Sequence, residues 1–375
     1  MKDFNLAEYL HDLEYIVNID SGSRHPAGVA AVANFMAQRY EAMGWHVTRH
    51  HFNNAVGPCL EIKNTHDNDY DVLIIGHMDT VFPVGTVAER PFSIKDGRAY
   101  GPGVADMKAG LLLAYYALKT LQDEGKLQHA KICVALNSDE EISSVYSRPW
   151  LEQLAVKSRH AFIMEPARAN GALVNQRKGL GRYSFVIKGK AAHAGVDPGK
   201  GRSAINELAH WILSLHALTN FEVGTTVNVG VVHGGTAANV VAEHAAGEID
   251  IRFVTMDEAV RIEETLKELV ANPRTEGVTA SFTGKVTRPP MNPSPATLRL
   301  CQATTEIAKK HNIDISWVAT GGGSDGNFTA ALGVPTIDGL GPIGGASHSP
   351  SEYLEINSIE PRLNLLRELI LYVAQ

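Results

Sequence analysis

Two side chains that could do chemistry together follow a run of strand-forming residues in the segment VLIIGHMDTV. His77 and Asp79 lie two positions apart, so on an extended chain both point to the same side. A carboxylate beside a metal-binding histidine commonly orients the imidazole through its second ring nitrogen. The pair indicates a metal site at the end of this strand, although an ordinary surface His–Asp pair would have the same spacing.

Further carboxylates follow other strand and turn patterns. Asp106 lies in a glycine-rich turn directly before a helix, where an ordinary helix cap is the alternative. Glu140 and Glu141 come directly after Asp139 at the end of the apolar strand KICVAL, and a solvated acidic turn is the alternative there. Glu165 follows another apolar strand and precedes a proline, which favours extended backbone.

His348 lies in a loop of small residues near the end of the sequence and completes the candidate set. The set contains two histidines, several carboxylates and no thiolate. Nitrogen and oxygen donors suit divalent ions in a catalytic site, whereas structural zinc sites usually include cysteine. Two ions that share a carboxylate suit hydrolysis of an amide or ester, which is the chemistry the set predicts.

Composition excludes several functional classes. The chain of 375 residues has a formal net charge of −7, whereas nucleic-acid-binding proteins usually carry a basic face. Its longest apolar run is far shorter than the ~20 residues that span a bilayer, and its charged, amphipathic start has no secretory signal. The three cysteines are widely spaced, which indicates a reducing compartment and no disulfide framework. We therefore predict a cytoplasmic protein without nucleic-acid or membrane partners.

Helical and strand patterns alternate in the first part of the chain. Helices are predicted over residues 4–18, 27–43 and 108–124, and strands over residues 45–52, 58–63, 71–76 and 131–136. Such alternation predicts an α/β sheet with helices on both faces. Ligand sites in these sheets lie at the carboxyl ends of the strands, where the candidate residues are found.

The middle of the chain has a β-α-β-β-α-β pattern, which is ferredoxin-like. Its predicted strands cover residues 181–189, 225–232, 245–254 and 278–284, and its predicted helices cover residues 203–218 and 257–271. A proline-rich linker follows, and the α/β pattern then returns with helices near residues 296–311 and 358–374. We therefore predict a discontinuous catalytic domain, residues 1–179 and 291–375, with a smaller domain of residues 180–290 inserted into it.

The sequence resembles the M20 family of metallopeptidases, in the branch of glutamate carboxypeptidase, acetylornithine deacetylase and succinyl-diaminopimelate desuccinylase. The motifs that carry the resemblance occur in family order: GHMDTV, YGPGVADMKAG, SDEEISS, MEP, GKAAHAG, GGGSDGNF and SHSPSEY. They span residues 76 to 353 and so cover essentially the whole chain. The resemblance implies a zinc-exopeptidase-like layered α/β catalytic domain with an inserted ferredoxin-like α+β domain for dimerisation. One departure is Ser143, where many relatives have glycine, and it puts the local turn in question.

By this resemblance, the candidate ligands would hold two Zn2+ ions per subunit, which Co2+ or Mn2+ could replace. His77 and Glu165 would hold one ion, Glu141 and His348 would hold the other, and Asp106 would bridge the two.

The resemblance also implies catalytic roles. Glu140 would be the general base that takes a proton from the attacking water and passes it to the leaving nitrogen. Asp79 would orient the imidazole of His77. The peptide bond between Asp106 and Met107 would be cis.

Residues of the inserted domain complete the site by the same resemblance. His193 would reach the partner's active site in a homodimer formed through this domain and would stabilise the tetrahedral intermediate. Asn239 and Arg288 match positions that bind the substrate's carboxylate, which a guanidinium can bind bidentately. The glycines around Gly322 would shape the floor of the pocket. Lys178 is explained more simply as a surface lysine at a domain junction.

Together these features predict a dinuclear zinc exopeptidase of the glutamate carboxypeptidase type, which releases a C-terminal amino acid from a peptide. An N-acyl-amino-acid deacylase of the acetylornithine deacetylase or aminoacylase type is the alternative, because both enzymes cleave an amide to an amino acid with a free carboxylate. A non-catalytic peptide-binding relative is disfavoured because Glu140 accompanies all the ligands. A nucleotide-binding α/β protein is disfavoured because no GxGxxG follows a first strand.

Overall fold

The computed structural model describes residues 4–375 and divides into two compact units. The first unit contains the chain up to Gln176, together with Asn292–Thr320 and Ser324–Gln375. The second unit contains Arg177–Met291 and the short segment Gly321–Gly323. Within residues 4–375, no helix has the length and apolar character needed to span a bilayer.

The elements are numbered in chain order. The helices are α1 (Leu6–Val17), α2 (Pro26–Ala42), α3 (Thr86–Glu89), α4 (Ala109–Asp123), α5 (Arg148–Ala155), α6 (Ala204–His216), α7 (Met256–Ala271), α8 (Pro295–Lys310), α9 (Gly326–Ala331) and α10 (Ile359–Val373). The strands are β1 (His46–His50), β2 (Cys59–Lys63), β3 (Val72–His77), β4 (Ser93–Lys95), β5 (Arg98–Tyr100), β6 (Ile132–Asn137), β7 (Ala161–Ile163), β8 (Leu173–Arg177), β9 (Gly179–Lys188), β10 (Thr226–Gly234), β11 (His244–Phe253), β12 (Thr279–Arg288), β13 (Trp317–Thr320), β14 (Thr336–Ile337), β15 (Gly344–Gly345) and β16 (Tyr353–Glu355).

The first unit is built on a six-stranded sheet with the order β1-β2-β6-β3-β7-β14. Strands β6, β3, β7 and β14 run parallel, whereas β1 and β2 are antiparallel to their neighbours. Every residue of β3 and β6 is buried, as expected for parallel strands that are covered on both faces. Because β6, β3 and β7 are parallel neighbours, their carboxyl ends meet at one edge of the sheet.

Helices cover both faces of this sheet, which confirms the predicted layered α/β architecture. On one face, Ile74 of β3 belongs to a large core with α1, α2, α4 and α10. On the other face, Leu73 and Ile75 pack in a smaller core that includes Trp150 and Leu151 of α5. The alternation along β3 places successive side chains in opposite layers.

A smaller antiparallel sheet of the first unit has the order β15-β16-β5-β4. Tyr353 of β16 pairs with Tyr100 of β5, and Gly345 of β15 pairs with Tyr353. The loop that carries His348 lies between β15 and β16, and the segment that carries Asp106 follows β5. This sheet therefore brings together two segments that are far apart in the sequence.

The second unit has the element order β9-α6-β10-β11-α7-β12, which confirms the predicted β-α-β-β-α-β pattern. Its four strands are antiparallel in the order β10-β11-β9-β12. Its own core includes Phe185 and Ile251 from the sheet and Trp211 and Ile262 from the two helices. Both helices thus contribute to one apolar core against the sheet.

Candidate metal centre

The parallel strands deliver four candidate residues to one edge of the central sheet. His77 is the last residue of β3, and Glu165 lies two residues beyond the end of β7. Glu140 and Glu141 form a short helical turn just after β6. Because β3 lies between β6 and β7, these side chains converge, as the strand patterns predict.

Asp106 approaches the same place from a helical turn, Val104–Lys108, that precedes α4. The Asp106–Met107 peptide bond is cis, as expected from the resemblance. The start of α4 lies very close to the chain before Glu165, since a side chain at Gly110 would come within 2.0 Å of the Met164 carbonyl oxygen. Only glycine permits this approach, which sets Asp106 beside Glu165.

The two oxygens of Asp106 face different histidines. Its Oδ1 lies 3.2 Å from His77 Nε2, and its Oδ2 lies 3.2 Å from His348 Nε2. His77 Nε2 is also 3.6 Å from Glu165 Oε1, and His348 Nε2 is 3.2 Å from Glu141 Oε2. We call His77, Glu165 and Asp106 the first half-site, and His348, Glu141 and Asp106 the second half-site. The half-sites share one carboxylate.

The carboxylates draw positive charge onto both imidazoles. Burial alone would lower the pKa of His77, but hydrogen bonds to Asp106, Asp79 and Glu165 raise that pKa well above its ordinary value. Hydrogen bonds to Asp106 and Glu141 raise the pKa of His348 to about 11. Although burial opposes it, contact with the two histidines lowers the pKa of Asp106. The cluster is therefore a place where cationic charge is strongly favoured.

Burial disfavours the charged form of the remaining carboxylates of the cluster. Burial raises the pKa of Glu141 to about 7, and it also raises the pKa of Glu165. Within residues 4–375, the buried Oε1 of Glu141 has no hydrogen-bond partner. Buried polar atoms are rarely left without a partner, and a divalent cation would provide one. The donor set of imidazole nitrogens and carboxylate oxygens fits such an ion.

Glu140 lies close enough to share an ion with His77 and Glu165, because ligand atoms of the three lie within 4.8 Å of one another. A second such group consists of His77, Asp106 and Glu141. Glu140 is partly exposed, unlike the fully buried Asp139 before it. Its position suits either a metal ligand or a base beside the metal. The two roles predict different metal contents when Glu140 is replaced by glutamine.

Asp79 is fully buried and acts through two different groups. Its main-chain oxygen lies 3.0 Å from His77 Nδ1, whereas its carboxylate Oδ1 is 3.5 Å from that nitrogen. The carboxylate accepts hydrogen bonds from the backbone N–H groups of Glu140 and Glu141, each at 3.2 Å, and from Ser23 Oγ at 2.6 Å. Asp79 thus turns Nε2 of His77 toward Asp106 and also holds the turn that carries the two glutamates.

The acidic turn after β6 is not a solvated one. Asp139 is fully buried and accepts hydrogen bonds from the backbone N–H of Tyr146 at 2.7 Å and from Ser147 Oγ at 2.5 Å. Asp325 is also buried and accepts hydrogen bonds from Ser144 Oγ at 2.5 Å and from Asn137 Nδ2 at 2.6 Å. Asp139 and Asp325 lie in two of the quoted motifs, but nothing in the sequence indicated their buried contacts apart from the serines after Glu141.

Ser143, the departure from the family motif, has a φ of +73° and so adopts the left-handed conformation that favours glycine. The chain therefore keeps the turn, although the backbone of Ser143 is strained in this conformation. We expect Ser143→Gly to stabilise the protein by about 0.5–1 kcal/mol, since the relief of strain exceeds the added chain entropy. The denaturant concentration at the unfolding midpoint measures the change.

Ser144 provides the matched control, because its φ of +50° is also left-handed. Its hydroxyl, however, donates the buried hydrogen bond to Asp325 at 2.5 Å. Ser144→Gly should therefore destabilise the protein, because a buried carboxylate loses a donor. Equal midpoints for the two variants would contradict this account of the turn.

Glu352 lies within the motif SHSPSEY, but the sequence pattern alone gives it no role. It is buried, and its carboxylate accepts backbone hydrogen bonds from Gly103 at 3.1 Å, Ala105 at 2.8 Å and Asp106 at 3.0 Å. Burial raises the pKa of Glu352 to about 7, although the hydrogen bonds from the loop act in the opposite direction. One side chain thus fixes the backbone of the loop that presents Asp106 to both histidines.

Glu352→Gln should weaken metal binding by about 10- to 100-fold, in line with the loss of other supporting contacts around metal ligands. The glutamine side chain has only one acceptor oxygen. At least one backbone N–H of the loop would therefore face the side-chain NH2 group instead of an acceptor. Competition with a chromophoric chelator measures the affinity. Glu355→Gln is the control, because Glu355 pairs with Arg98 at 2.7 Å on the same small sheet. Unchanged affinity in Glu352→Gln would show that the loop holds its shape without this carboxylate.

In the second unit, His193 and Asn239 lie on adjacent loops. The backbone N–H of Ala194 donates to the Asn239 carbonyl oxygen at 2.9 Å. Nδ1 of His193 accepts hydrogen bonds from the backbone N–H groups of Gly195 and Val196, each at 3.1 Å. An accepting nitrogen carries no proton, so in the neutral ring Nε2 carries it. The exposed imidazole of His193 is thus prepared as a hydrogen-bond donor.

The predicted carboxylate-binding residue Arg288 is buried at the end of β12. Its side chain passes Gly323, where an added side chain would come within 2.8 Å of Arg288 Cδ. The carbonyl oxygen of the neighbouring Gly322 accepts a hydrogen bond from Arg177 Nη1 at 3.1 Å, and that of Gly321 accepts one from Arg252 Nη1 at 3.2 Å. Arginines therefore hold the glycine segment in place within this unit.

Comparisons with known proteins agree with this geometry. The sequence profile of peptidase family M20/M25/M40 matches residues 73–372. Carboxypeptidase G2 of Pseudomonas sp. (strain RS-16) is 28% identical over 96% of this chain and 88% of its own. Succinyl-diaminopimelate desuccinylase of Delftia acidovorans is 26% identical over 80% of this chain and 81% of its own. The crystal structure of aminopeptidase PepT from Bacillus cereus has a similar fold, with a TM-score of 0.81, 23% identity and 99% coverage of both chains.

Proposed function

The chain belongs to peptidase family M20/M25/M40, and from this premise we propose that it is a dinuclear zinc hydrolase that releases a C-terminal amino acid from a peptide. The observation that carries the proposal is the position of Asp106, whose two oxygens each lie 3.2 Å from a different imidazole nitrogen. A carboxylate shared in this way suits a pair of ions that acts on one amide bond. The similarity to carboxypeptidase G2 favours release of an amino acid with a free carboxylate.

The two half-sites would hold the ions, and Asp106 would bridge them. When bound, the ions would activate a water molecule and polarise the carbonyl of the scissile amide. Glu140 would take the proton that the water loses as its oxygen bonds to the carbonyl carbon. Glu140 would then pass this proton to the amide nitrogen as the carbon–nitrogen bond breaks, so the amino acid leaves as a neutral amine. The turn held by Asp79 would keep Glu140 in position for both transfers.

Residues of the second unit would orient the substrate. The Nε2–H group of His193 would donate to the oxyanion of the tetrahedral intermediate, a role that its Nδ1 contacts support. Asn239 and Arg288 would bind the free carboxylate of the leaving amino acid, and the Gly322 segment would line the pocket. The buried position of Arg288 favours a strong ion pair with a carboxylate that reaches it, because water screens such a pair poorly.

We propose a homodimer formed through the second unit. Leu213 of α6 is 72% exposed, and Val231 and Val232 of β10, one of the two edge strands, are 41% and 45% exposed. An outermost strand with exposed apolar side chains can pair with another chain. In a two-fold dimer the same patch serves both partners, so His193 of each chain could act in the other's site.

His193→Ala is expected to be folded, dimeric and metal-loaded but nearly inactive. Mixing it with inactive Glu140→Gln protein should restore activity, because one site of each mixed dimer combines an intact Glu140 with an intact His193. With random exchange about half of the dimers are mixed, so recovery should approach about one quarter of the wild-type sites. Mass spectrometry checks the exchange, and hydrolysis rates measure the recovery.

The control is a mixture of Glu140→Gln with Asp106→Ala. Both substitutions affect the same metal centre, so every site of a mixed dimer lacks one of the two and no activity should return. Recovery in the control mixture, or none in the His193 mixture after confirmed exchange, would contradict a shared site. A monomeric protein by light scattering would contradict it as well.

An N-acyl-amino-acid deacylase is the second candidate, because the similarity to succinyl-diaminopimelate desuccinylase favours cleavage of an acyl amide. A panel of peptides and N-acyl amino acids separates the two candidates. Each compound is tested on protein stripped with a chelator and then reloaded with Zn2+, Co2+ or Mn2+. Preference for peptides supports the carboxypeptidase, preference for simple acyl groups supports the deacylase, and activity without added metal contradicts both. A cytoplasmic location stays a prediction from the sequence.

A further inference from the structure

Beside Glu141, the first unit has a cavity of about 390 Å3 that the proposed mechanism has not used. Its lining includes Val81, Phe82, Val84 and Ile142, and it also includes Glu141 of the second half-site. A cavity of about 150 Å3 is large enough to hold a benzene ring. The cavity therefore has room for an aromatic or branched aliphatic group directly beside the candidate metal centre.

Two of the apolar side chains that line this cavity are exposed to water. Val84 is 63% exposed and Val81 is 42% exposed. The ring of Phe82 is covered on one face by the guanidinium of Arg90, whose Cζ lies 4.8 Å from the ring centroid. Single exposed apolar residues are ordinary, but several that line one cavity at a reaction centre are typical of a ligand pocket.

We propose that this cavity binds the acyl side of the substrate and selects an apolar acyl group, aliphatic or aromatic. The inference rests on the proposed amide hydrolysis, in which the leaving amino acid carries its carboxylate to Arg288 and Asn239. The acyl group lies on the other side of the scissile bond from the leaving amino acid. Because Glu141 of the second half-site lines the cavity, the cavity is next to the centre where that bond would be cleaved. Contact of an apolar acyl group with Val81 and Val84 would remove apolar surface from water and so favour its binding in the cavity.

Charge decides between an apolar and an acidic acyl group. The side chains of Val81, Phe82, Val84 and Ile142 offer no hydrogen-bond donor to a second substrate carboxylate, so burial of that charge against them would be unfavourable. The exposed Arg24 also lines the cavity and is the feature that could instead attract an acidic group such as succinyl. Binding of an apolar acyl group would be weakened by a charge at position 84, whereas binding of an acidic acyl group would depend on Arg24.

The test compares N-benzoyl, N-acetyl and N-succinyl derivatives of the amino acid that the substrate panel shows to be released fastest. We expect kcat/KM for the benzoyl compound to exceed that for the acetyl compound at least about tenfold. Val84→Asp should lower this ratio at least about tenfold, because it places a charge where the apolar group binds. Val156→Asp is the matched control, since Val156 is 66% exposed and does not line the cavity. It should leave the ratio unchanged.

A benzoyl-to-acetyl ratio that is the same in the wild type and Val84→Asp would overturn the inference. So would a preference for the succinyl compound that Arg24→Ala abolishes. If none of the compounds is hydrolysed by metal-loaded protein, the proposed function fails, but calorimetric binding of the N-benzoyl amino acid still tests the cavity. Binding weakened at least about tenfold in Val84→Asp alone supports the assignment; absent or unaltered binding overturns it.

Discussion

Asp106→Ala should deprive the protein of both ions, whereas loss of either histidine should remove only one. The reason is that Asp106 faces both half-sites, with Oδ1 toward His77 and Oδ2 toward His348, each at 3.2 Å. Without the shared carboxylate, each half-site keeps one histidine and one glutamate. Two protein donors are fewer than the three that catalytic zinc sites usually have. Activity should fall to the level of the metal-free protein.

The measurement is the number of ions per chain after equilibrium dialysis, determined by elemental analysis. His77→Ala and His348→Ala are the reference variants, since each removes one imidazole and leaves Asp106 in place. Thermal unfolding of the metal-free forms shows whether each variant still folds. Two ions bound with near-native affinity in Asp106→Ala would mean that Asp106 serves only as a residue of the turn before α4.

Glu140→Gln should keep both ions while kcat falls by about 10²- to 10⁴-fold, which is the usual effect of removing a general base. The amide is close in size to the carboxylate but cannot take a proton from water at neutral pH. Because the turn is held through its backbone N–H groups by Asp79, the substitution leaves these hydrogen bonds in place. Metal content and kcat are measured on the same samples.

Glu141→Gln is the matched comparison, because it makes the same chemical change in the adjacent residue of the same turn. Glu141 contacts His348 at 3.2 Å in the second half-site, so this variant should lose an ion. Glu140 also lies within reach of an ion shared with His77 and Glu165. Loss of an ion in Glu140→Gln would therefore make Glu140 a ligand and leave the general base unassigned.

The central part of the site could be predicted from strand patterns. His77, Glu141 and Glu165 follow apolar runs, and the parallel order of β6, β3 and β7 brings their side chains to one edge. Asp106 and His348 lie in irregular loops, which have no periodic pattern. Their roles were available only through the resemblance to a family, and the distances of 3.2 Å between them now support that assignment.

The supporting contacts could not be predicted from the sequence. They either join residues that are distant in the chain or involve acidic residues that would be expected at the surface. Glu352 reads as one more acidic residue near a loop, yet its side chain is buried under the Asp106 loop. Asp139 reads as part of an acidic turn, yet it is fully buried against Tyr146 and Ser147. Burial of a carboxylate depends on backbone donors that only the folded chain supplies.

The spread of the metal donors along the chain has a consequence for synthesis. The whole second unit lies between Glu165 and His348 in the sequence. A ribosome adds residues in order, at about 5–20 per second, so His77, Asp106 and Glu165 emerge well before His348. Until His348 has been made, a nascent chain contains all residues of the first half-site but not of the second, and Oδ2 of Asp106 lacks its histidine partner. A chain that ends within the second unit lacks His348 and therefore cannot form the second half-site.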